Sequence, residues 1–487
     1  MHLTPPTFIR NSEAALADAH LRGAIGAATD RFAGNRNRAV AERPDWEALR
    51  TQARAIKDDV LAHLDRYLEQ LEAKVTERGG KVHWARDAAE AREIIVGISK
   101  RSVTEGAVPA AAMAAKSKSM TGEEVHLNEA LAAGGIDPVE TDLGEYIIQI
   151  AGETPSHIVM PAIHKTRGDI AKLFRDKLNV PTPEKAEEIT ALARKILREK
   201  FVQAGIGISG VNFAVAATGT IMILENEGNG RLSTTLPRTH IALMGIEKIL
   251  PRVEDLAPFL RLLPRSGTGQ RLTSYQSFIT GPRRADEEDG PEAFHLVILD
   301  NRRTEILADP EARESLACIR CGACLNVCPI YQQIGGHAYG WVYPGPIGAI
   351  LTPQYVGLPN AADLPYASSL CGACKDACPV KIDIPHVLLH LRKSVKEGQA
   401  AHGDRPARAA GKPSWAERAV FRIWARVLRS PRLFRLGGWI AARLAAPLAE
   451  DGRIRNLPAP FSAWTDTRDF PAPAKESFRD RWYRGID

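Results

Sequence analysis

Seven cysteines, all between positions 318 and 378 of a 487-residue chain, are the residues best placed to do chemistry. The first four, Cys318, Cys321, Cys324 and Cys328, follow the spacing C-x2-C-x2-C-x3-C and are closed by Pro329. That spacing is the bacterial ferredoxin run: three close thiolates wrap one cluster, and the fourth ligates the other. Gly322 supplies a tight turn that lets backbone amides point at the sulfurs.

The second run, Cys371, Cys374 and Cys378 before Pro379, matches the last three cysteines of the first, and Ser368 stands where its first cysteine belongs. Crossed connectivity gives cluster one Cys318, Cys321, Cys324 and Cys378, and leaves cluster two with Cys328, Cys371 and Cys374. Cluster two is one thiolate short. A [4Fe–4S] cubane with a non-cysteine ligand such as Ser368, a cubane with a labile iron, and a [3Fe–4S] cluster all satisfy that count. Zinc also binds C-x2-C pairs, but it has no need of two proline-terminated runs with the ferredoxin step. A disulfide framework would scatter its cysteines through a short secreted chain and would not leave one over.

A second set of residues suggests a small-molecule site. Gly205, Gly207 and Gly210 spell G-x-G-x-x-G, yet a helix precedes them and a strand follows, the reverse of what dinucleotide binding needs. The same stretch places Ser209, Asn212, Thr218, Gly219 and Thr220 at expected strand ends, with Glu225, Asn226 and Glu227 closing a further strand. Lys116 and Lys118 follow another strand and suit an anionic carboxylate or phosphate. Lys116, Lys118, Ser209, Asn212, Thr218, Gly219 and Glu225 therefore form a candidate ligand pocket; turn chemistry and surface lysines are the plainer account of them. Glu153, His157 and His164 lack a ligand spacing and read as surface or core residues. No Ser-His-Asp elbow, P-loop or zincin motif is present.

The elements that carry these residues fall into four parts. Residues 1–78 read as helical, with Ala53, Ile56, Val60, Leu64, Leu68 and Leu71 at a 3.6-residue period. Residues 79–303 alternate short strands and helices, the pattern of an α/β layered domain. Strands are expected at Lys81–Trp84, Ala110–Ala115, Ile147–Ile150, Val211–Ala216, Thr220–Leu224, His240–Met244 and His295–Leu299. Helices are expected at Ala88–Ser99, Gly122–Ala133, Thr166–Lys177 and Pro183–Gln203. The acidic run 286–289 reads as a solvated hairpin loop. Residues 304–400 form a helical ferredoxin domain, whose Gly/Pro/aromatic stretch between the two cysteine runs suits a low-dielectric cover. Residues 401–487 are a basic helical tail.

Charge is concentrated in that tail, where 17 Lys and Arg face 9 Asp and Glu, while the rest of the chain holds 47 against 49. Trp415, Phe421, Trp424, Leu428, Phe434 and Trp439 alternate there with arginines. A basic amphipathic helix of this kind lies on an anionic bilayer or packs on protein, and packing is the plainer reading; peripheral membrane contact stays an alternative. Nothing supports nucleic-acid binding. The chain lacks both a secretory signal pattern and an apolar run of about 20 residues, so the expectation is a cytoplasmic protein.

The chain resembles the lactate utilization iron–sulfur protein B family. The likeness rests on the seven-cysteine pattern with its serine-led second run, KSKSM at Lys116–Met120, the segment Thr141–Lys165, GISGVNFAVAATGT at Gly207–Thr220 and ENEGNGR at Glu225–Arg231. It runs from about residue 10 to 475. It implies an α/β domain related to the sugar-isomerase and CoA-transferase-like folds, followed by a helical domain with two [4Fe–4S] clusters held by the crossed sets above. It also implies a role as the electron-transfer component of a complex that oxidises L-lactate to pyruvate. Two companion lactate-utilization proteins and a downstream electron acceptor would be its partners. The alternatives are that the α/β domain itself oxidises lactate, with the clusters as internal acceptors, or that the chain is a redox-sensing regulator.

Overall fold

The computed structural model describes residues 7–103, 112–180, 185–397 and 415–485, apart from 460, 467 and 475. Two compact units divide the chain near residue 410. In the larger unit the strands are β1 (Lys81–Ala85), β2 (Met113–Lys116), β3 (Asp137–Glu140), β4 (Ile206–Gly210), β5 (Phe213–Val215), β6 (Thr220–Glu225), β7 (Thr239–Gly245), β8 (Ile249–Leu250), β9 (Tyr275–Ile279) and β10 (Ala293–Leu299).

Six of these form a parallel sheet in the order β1-β10-β7-β4-β2-β3. Its central strand β7 is buried along its whole length, as expected of a strand covered on both faces. Alternation divides the strands between two cores. Ala242, Met244, Phe294, Leu296 and Ile298 pack with Val60, Leu64, Leu68 and Leu71 of the N-terminal helices. Ile241, Leu243, Val297 and Leu299 pack with Ile95, Ile98 and Leu131 on the other side. A second sheet, β8-β5-β6-β9, is antiparallel at β5–β6 and β6–β9 and parallel at β5–β8.

Several sequence expectations are corrected. Ile147–Ile150 is not a strand but part of the helix Leu143–Ala151, because Asp142 caps it by accepting from the Glu145 amide and Gly152 ends it at φ 69°. The helix expected at Gly122–Ala133 is two short ones, Met120–Glu124 and Leu127–Ala133, separated at His126, whose φ is 52°. The glycine-rich stretch Ile206–Gly210 is itself strand β4. A Cβ at Gly207 would overlap the Ser233 carbonyl, so this glycine serves close packing of the helix Asn229–Thr235. Strands β3, β8 and β9 lacked a periodic signal. The acidic residues 286–289 are exposed, but β9 and β10 flank them from different sheets, so the loop is no hairpin. Residues 110–111 and 183–184 of two expected elements lie outside the described residues.

The N-terminal helices do more than cover the sheet. Ile25, Trp46, Leu49 and Ala53 belong to one apolar core with Cys321, Cys324, Cys328, Tyr331 and Tyr339. Arg50 donates to the Cys378 carbonyl at 2.7 and 3.0 Å, and Arg36 to that of Ala377 at 3.2 Å. The smaller unit contains the helices Trp415–Arg429 and Pro431–Ala445; Ser430 accepts from the Leu433 amide and Pro431 begins the second helix. No described helix is long and apolar enough to cross a membrane.

Candidate metal centre

The two cysteine runs share one local backbone. Arg320 and Leu370, each just before a cysteine, have φ of 61° and 57°; Gly322 and Gly372, just after it, have 76° and 87°. Each glycine opens a short helix, Ala323–Asn326 or Ala373–Ala377. Cys328 and Cys378 then return to extended backbone at φ −84° and −67° before their prolines. Left-handed backbone is natural for glycine and costs Arg or Leu about 1 kcal/mol. The repeat extends to the missing cysteine: Cys318 Sγ accepts from the Arg320 amide at 3.4 Å, and Ser368 Oγ accepts from the Leu370 amide at 3.1 Å.

The thiols fall into two groups by the influences on them. Burial pushes Cys321 up, with Cys378 and Cys318 adding to it. Cys324 is raised by burial and by Cys321 and Cys318, then by Cys374 across the groups and by Cys378. Burial raises Cys378 to about 11, and Cys318 again contributes. In the other group burial raises Cys328, which senses Cys371, and lifts Cys374 to about 12 with Cys328 and Cys371 adding. Cys371 is exposed and held below its ordinary value by the Ala373 amide and the Ser369 hydroxyl. Amides of Tyr331 and Ile382 donate to Cys328 and Cys378 at 3.5 and 3.3 Å. Among the described residues no three His, Cys, Asp or Glu side chains stand close enough to hold one ion. Soft donors, amides aimed at sulfur and an apolar surround fit an iron–sulfur cluster, whose binding would displace the thiol protons.

Charge distinguishes the groups. The first abuts a buried ionic network in which Arg303 binds Glu124 at 2.8 and 2.9 Å and Glu247 at 2.6 Å. Tyr343 donates to Glu124 at 2.8 Å. Arg320, inside the cysteine run, lies 4.6 Å over the Tyr343 ring and bonds Tyr355 at 3.2 Å and Glu247 at 3.4 Å; its Nη1 is buried without a hydrogen bond. Burial would raise Glu247, but Arg303 and Arg320 hold it down to about 2. Lys57 donates to the Glu247 carbonyl, and burial lowers both Lys57 and Lys248 to about 8. Cys318 acts on Lys57, Lys248 and Arg320 alike. The leading influences on Cys328, Cys371 and Cys374 include no cation.

The seven residues of the candidate pocket are brought together only in part: Lys116 and Lys118 both lie under the influence of buried Glu145, and Lys118 and Glu225 both act on Glu227. Lys116, at the end of β2, is buried between Glu140 at 2.7 Å and Glu123 at 3.3 Å. Lys118 donates to the Val159 carbonyl at 3.0 Å and lies 3.6 Å from Glu145. Ser209 meets His240 at 2.8 Å, and Asn212 accepts from the Leu224 amide at 2.9 Å. Thr218 donates to Thr220 in the β5–β6 turn, where Gly219 packs on the backbone of Lys74 and Val75. Glu225 caps the helix Asn229–Thr235 through the Gly230 and Arg231 amides, both at 2.8 Å. These are intramolecular duties. Lys118 alone lies beside the cysteine region: Val159, whose carbonyl it binds, approaches Gly322, as does His157. His157 is a buried, neutral core histidine, lowered to about 3 by burial; it meets Asn326 at 3.1 Å and accepts from the Val159 and Met160 amides. His164 lies between Ser156 and Glu153 at 2.6 and 2.8 Å. Sequence reasoning missed Arg320 and its partners; the one available signal was a charged residue inside a cysteine run.

Comparison with known proteins adds three matches along the chain: a LUD domain over residues 68–299, a 4Fe-4S dicluster domain over 314–382, and the C-terminal domain of lactate utilisation protein B over 390–485. Lactate utilization protein B of Bacillus licheniformis is 45% identical over 464 residues, covering 95% of this chain and 93% of that protein. Its counterpart in Shouchella clausii is 44% identical over 478 residues, covering 98% and 96%. A crystal structure of a DUF162 family protein from Deinococcus radiodurans covers 48% of this chain and 98% of its own at 13% identity, with a TM-score of 0.24.

Proposed function

This chain belongs to the lactate utilization protein B family, and from that premise we propose that it is the iron–sulfur electron carrier of a multiprotein system that oxidises L-lactate to pyruvate. The observation that carries this reading is the pair of thiol groups built on one repeated backbone within a dicluster domain. Cys318, Cys321, Cys324 and Cys378 hold the first [4Fe–4S] cluster; Cys328, Cys371 and Cys374 hold the second, with one corner free of cysteine.

Oxidising lactate releases two electrons, and two clusters held by these cysteines would supply one-electron acceptors for them. The chain's own residues provide the surroundings. Amides of Arg320, Tyr331 and Ile382 donate to sulfur and stabilise the thiolate charge. Buried Tyr331 and Tyr339, both beside Cys328, cover the second group, while exposed Cys371 leaves it an edge open to a redox partner. Two companion lactate-utilization proteins and a downstream acceptor complete the system in the cytoplasm. The division we propose is a helical segment to residue 78, an α/β domain to 303 of the sugar-isomerase and CoA-transferase-like kind, the ferredoxin domain to 400, and the tail.

The intramolecular engagement of the pocket residues favours a carrier over a lactate-binding enzyme. The test is anaerobic: L-lactate added to the purified, iron-loaded chain should leave its visible spectrum unchanged until the companion proteins are supplied. Bleaching by the chain alone would move the oxidation into its α/β domain.

A further inference from the structure

The two thiol groups have the same local backbone but very different charge around them. Lys57 comes from the N-terminal helix Trp46–Ala62, Lys248 from the turn after β7, and Arg320 from the cysteine run itself. Their side chains are buried and converge on Glu247. Lys57 donates to its carbonyl, Arg320 lies 3.4 Å from its carboxylate with its own amide on Cys318 Sγ, and Lys248 is its chain neighbour. The influence of Cys318 reaches each. With Arg303 they are four cations against two buried carboxylates, Glu124 and Glu247. Uncompensated positive charge in a protein interior is costly, and such groups persist where an anion completes the site. Arg320 Nη1 is buried without a hydrogen bond, so the network retains an unused donor within the cysteine run. In the second run the residue at that place is Leu370; Arg392 donates to the Ser368 carbonyl at 3.1 Å, but no cation is among the leading influences on Cys328 or Cys374.

We propose that Lys57, Lys248 and Arg320 are the built-in counter-charge of the first cluster and raise its reduction potential. The inference rests on the iron–sulfur reading above and adds to it residues of the α/β domain and the N-terminal helices. A cubane on four thiolates is an anion that becomes more negative on reduction, so fixed cations at short range favour the reduced form. Burial strengthens the effect, since little water lies between the charges to screen it. Arg320 also fixes the loop between Cys318 and Cys321 through Tyr343, Tyr355 and Glu247, so it positions as well as tunes. Lys57 and Lys248 lie outside both cysteine runs, which makes them the cleaner probes.

The experiment is a potentiometric titration, followed by EPR, of the full iron-loaded chain and its Lys248→Met variant. Each signal is assigned by comparison with a Cys328→Ala chain that retains the first cluster alone. Lys248→Met should shift the first cluster's reduction equilibrium at least threefold towards the oxidised form, about 30 mV for one electron, and leave the second unmoved. Lys248→Arg should restore it. Where Lys248→Met holds less iron than the parent, the same titration on Lys57→Met decides. A fully loaded variant whose first midpoint stays put, or in which both midpoints fall together, overturns the inference. A parent chain without iron and sulfide would instead sink the iron–sulfur reading.

Discussion

The run from Cys318 to Pro329 and the run from Ser368 to Pro379 are the same piece of backbone set in two environments. Left-handed residues, opening helices and closing prolines coincide. The first run is enclosed by the N-terminal helices and faces the network of Arg303, Glu247 and Glu124. The second has exposed Cys371 as its first cysteine, with Leu370 for Arg320 and Ser368 for Cys318. Ligand spacing is thus a local property that repeats, whereas charge and solvent access come from the rest of the fold and do not.

Breaking one half without the other is the most direct way to test that comparison. Cys328→Ala should remove the second cluster and keep the first, reducing iron from about eight to about four atoms per chain; loss of all iron would mean that the two sites do not form independently. Arg320→Leu, which gives the first run the residue of the second, should lower stability by about 3 kcal/mol in urea unfolding, because Glu247 is left buried with one partner fewer. Leu370→Arg at the exposed run should cost far less; equal losses would erase the distinction.

Thiol reactivity sharpens it. In the metal-free chain Cys371 lies below the ordinary thiol value, whereas Cys378 and Cys374 lie at about 11 and 12. Only the thiolate alkylates, and its fraction rises about tenfold per pH unit below the pKa. At pH 8 Cys371 should therefore be modified first, by about a hundredfold over Cys378, and the gap should narrow as pH rises towards 11; peptide mapping after brief alkylation checks this. The smallest effect is expected from Ser368→Ala, which should preserve the first cluster's signal and change only the second's. A change confined to the first would refute the pairing of Ser368 with Cys318.

The iron–sulfur reading was legible in the sequence because ferredoxin cysteines sit at fixed short spacings, and the 4Fe-4S dicluster match over 314–382 agrees with it. The helices around Leu64 and Leu71 were legible for a related reason: their apolar period survives in the fold. Ile147–Ile150 was misread because a short apolar run fits strand and helix equally, and the deciding groups, Asp142 and Gly152, lie outside it. Among the pocket residues Glu225 caps a helix and Ser209, Asn212 and Thr218 bond locally, because small polar residues at strand ends serve packing and capping as readily as binding. The Arg320–Glu247–Arg303–Glu124 network was illegible, since its members come together from positions up to 196 residues apart only in the folded chain.

The central claim, two clusters on two unequal thiol sets, is tested most directly by iron and sulfide analysis of anaerobically purified protein together with Mössbauer spectroscopy. About eight irons are expected, in two cubane environments of equal weight, one of them with a single iron site distinct from its three neighbours. Four irons in one environment, or zinc in place of iron, would contradict it.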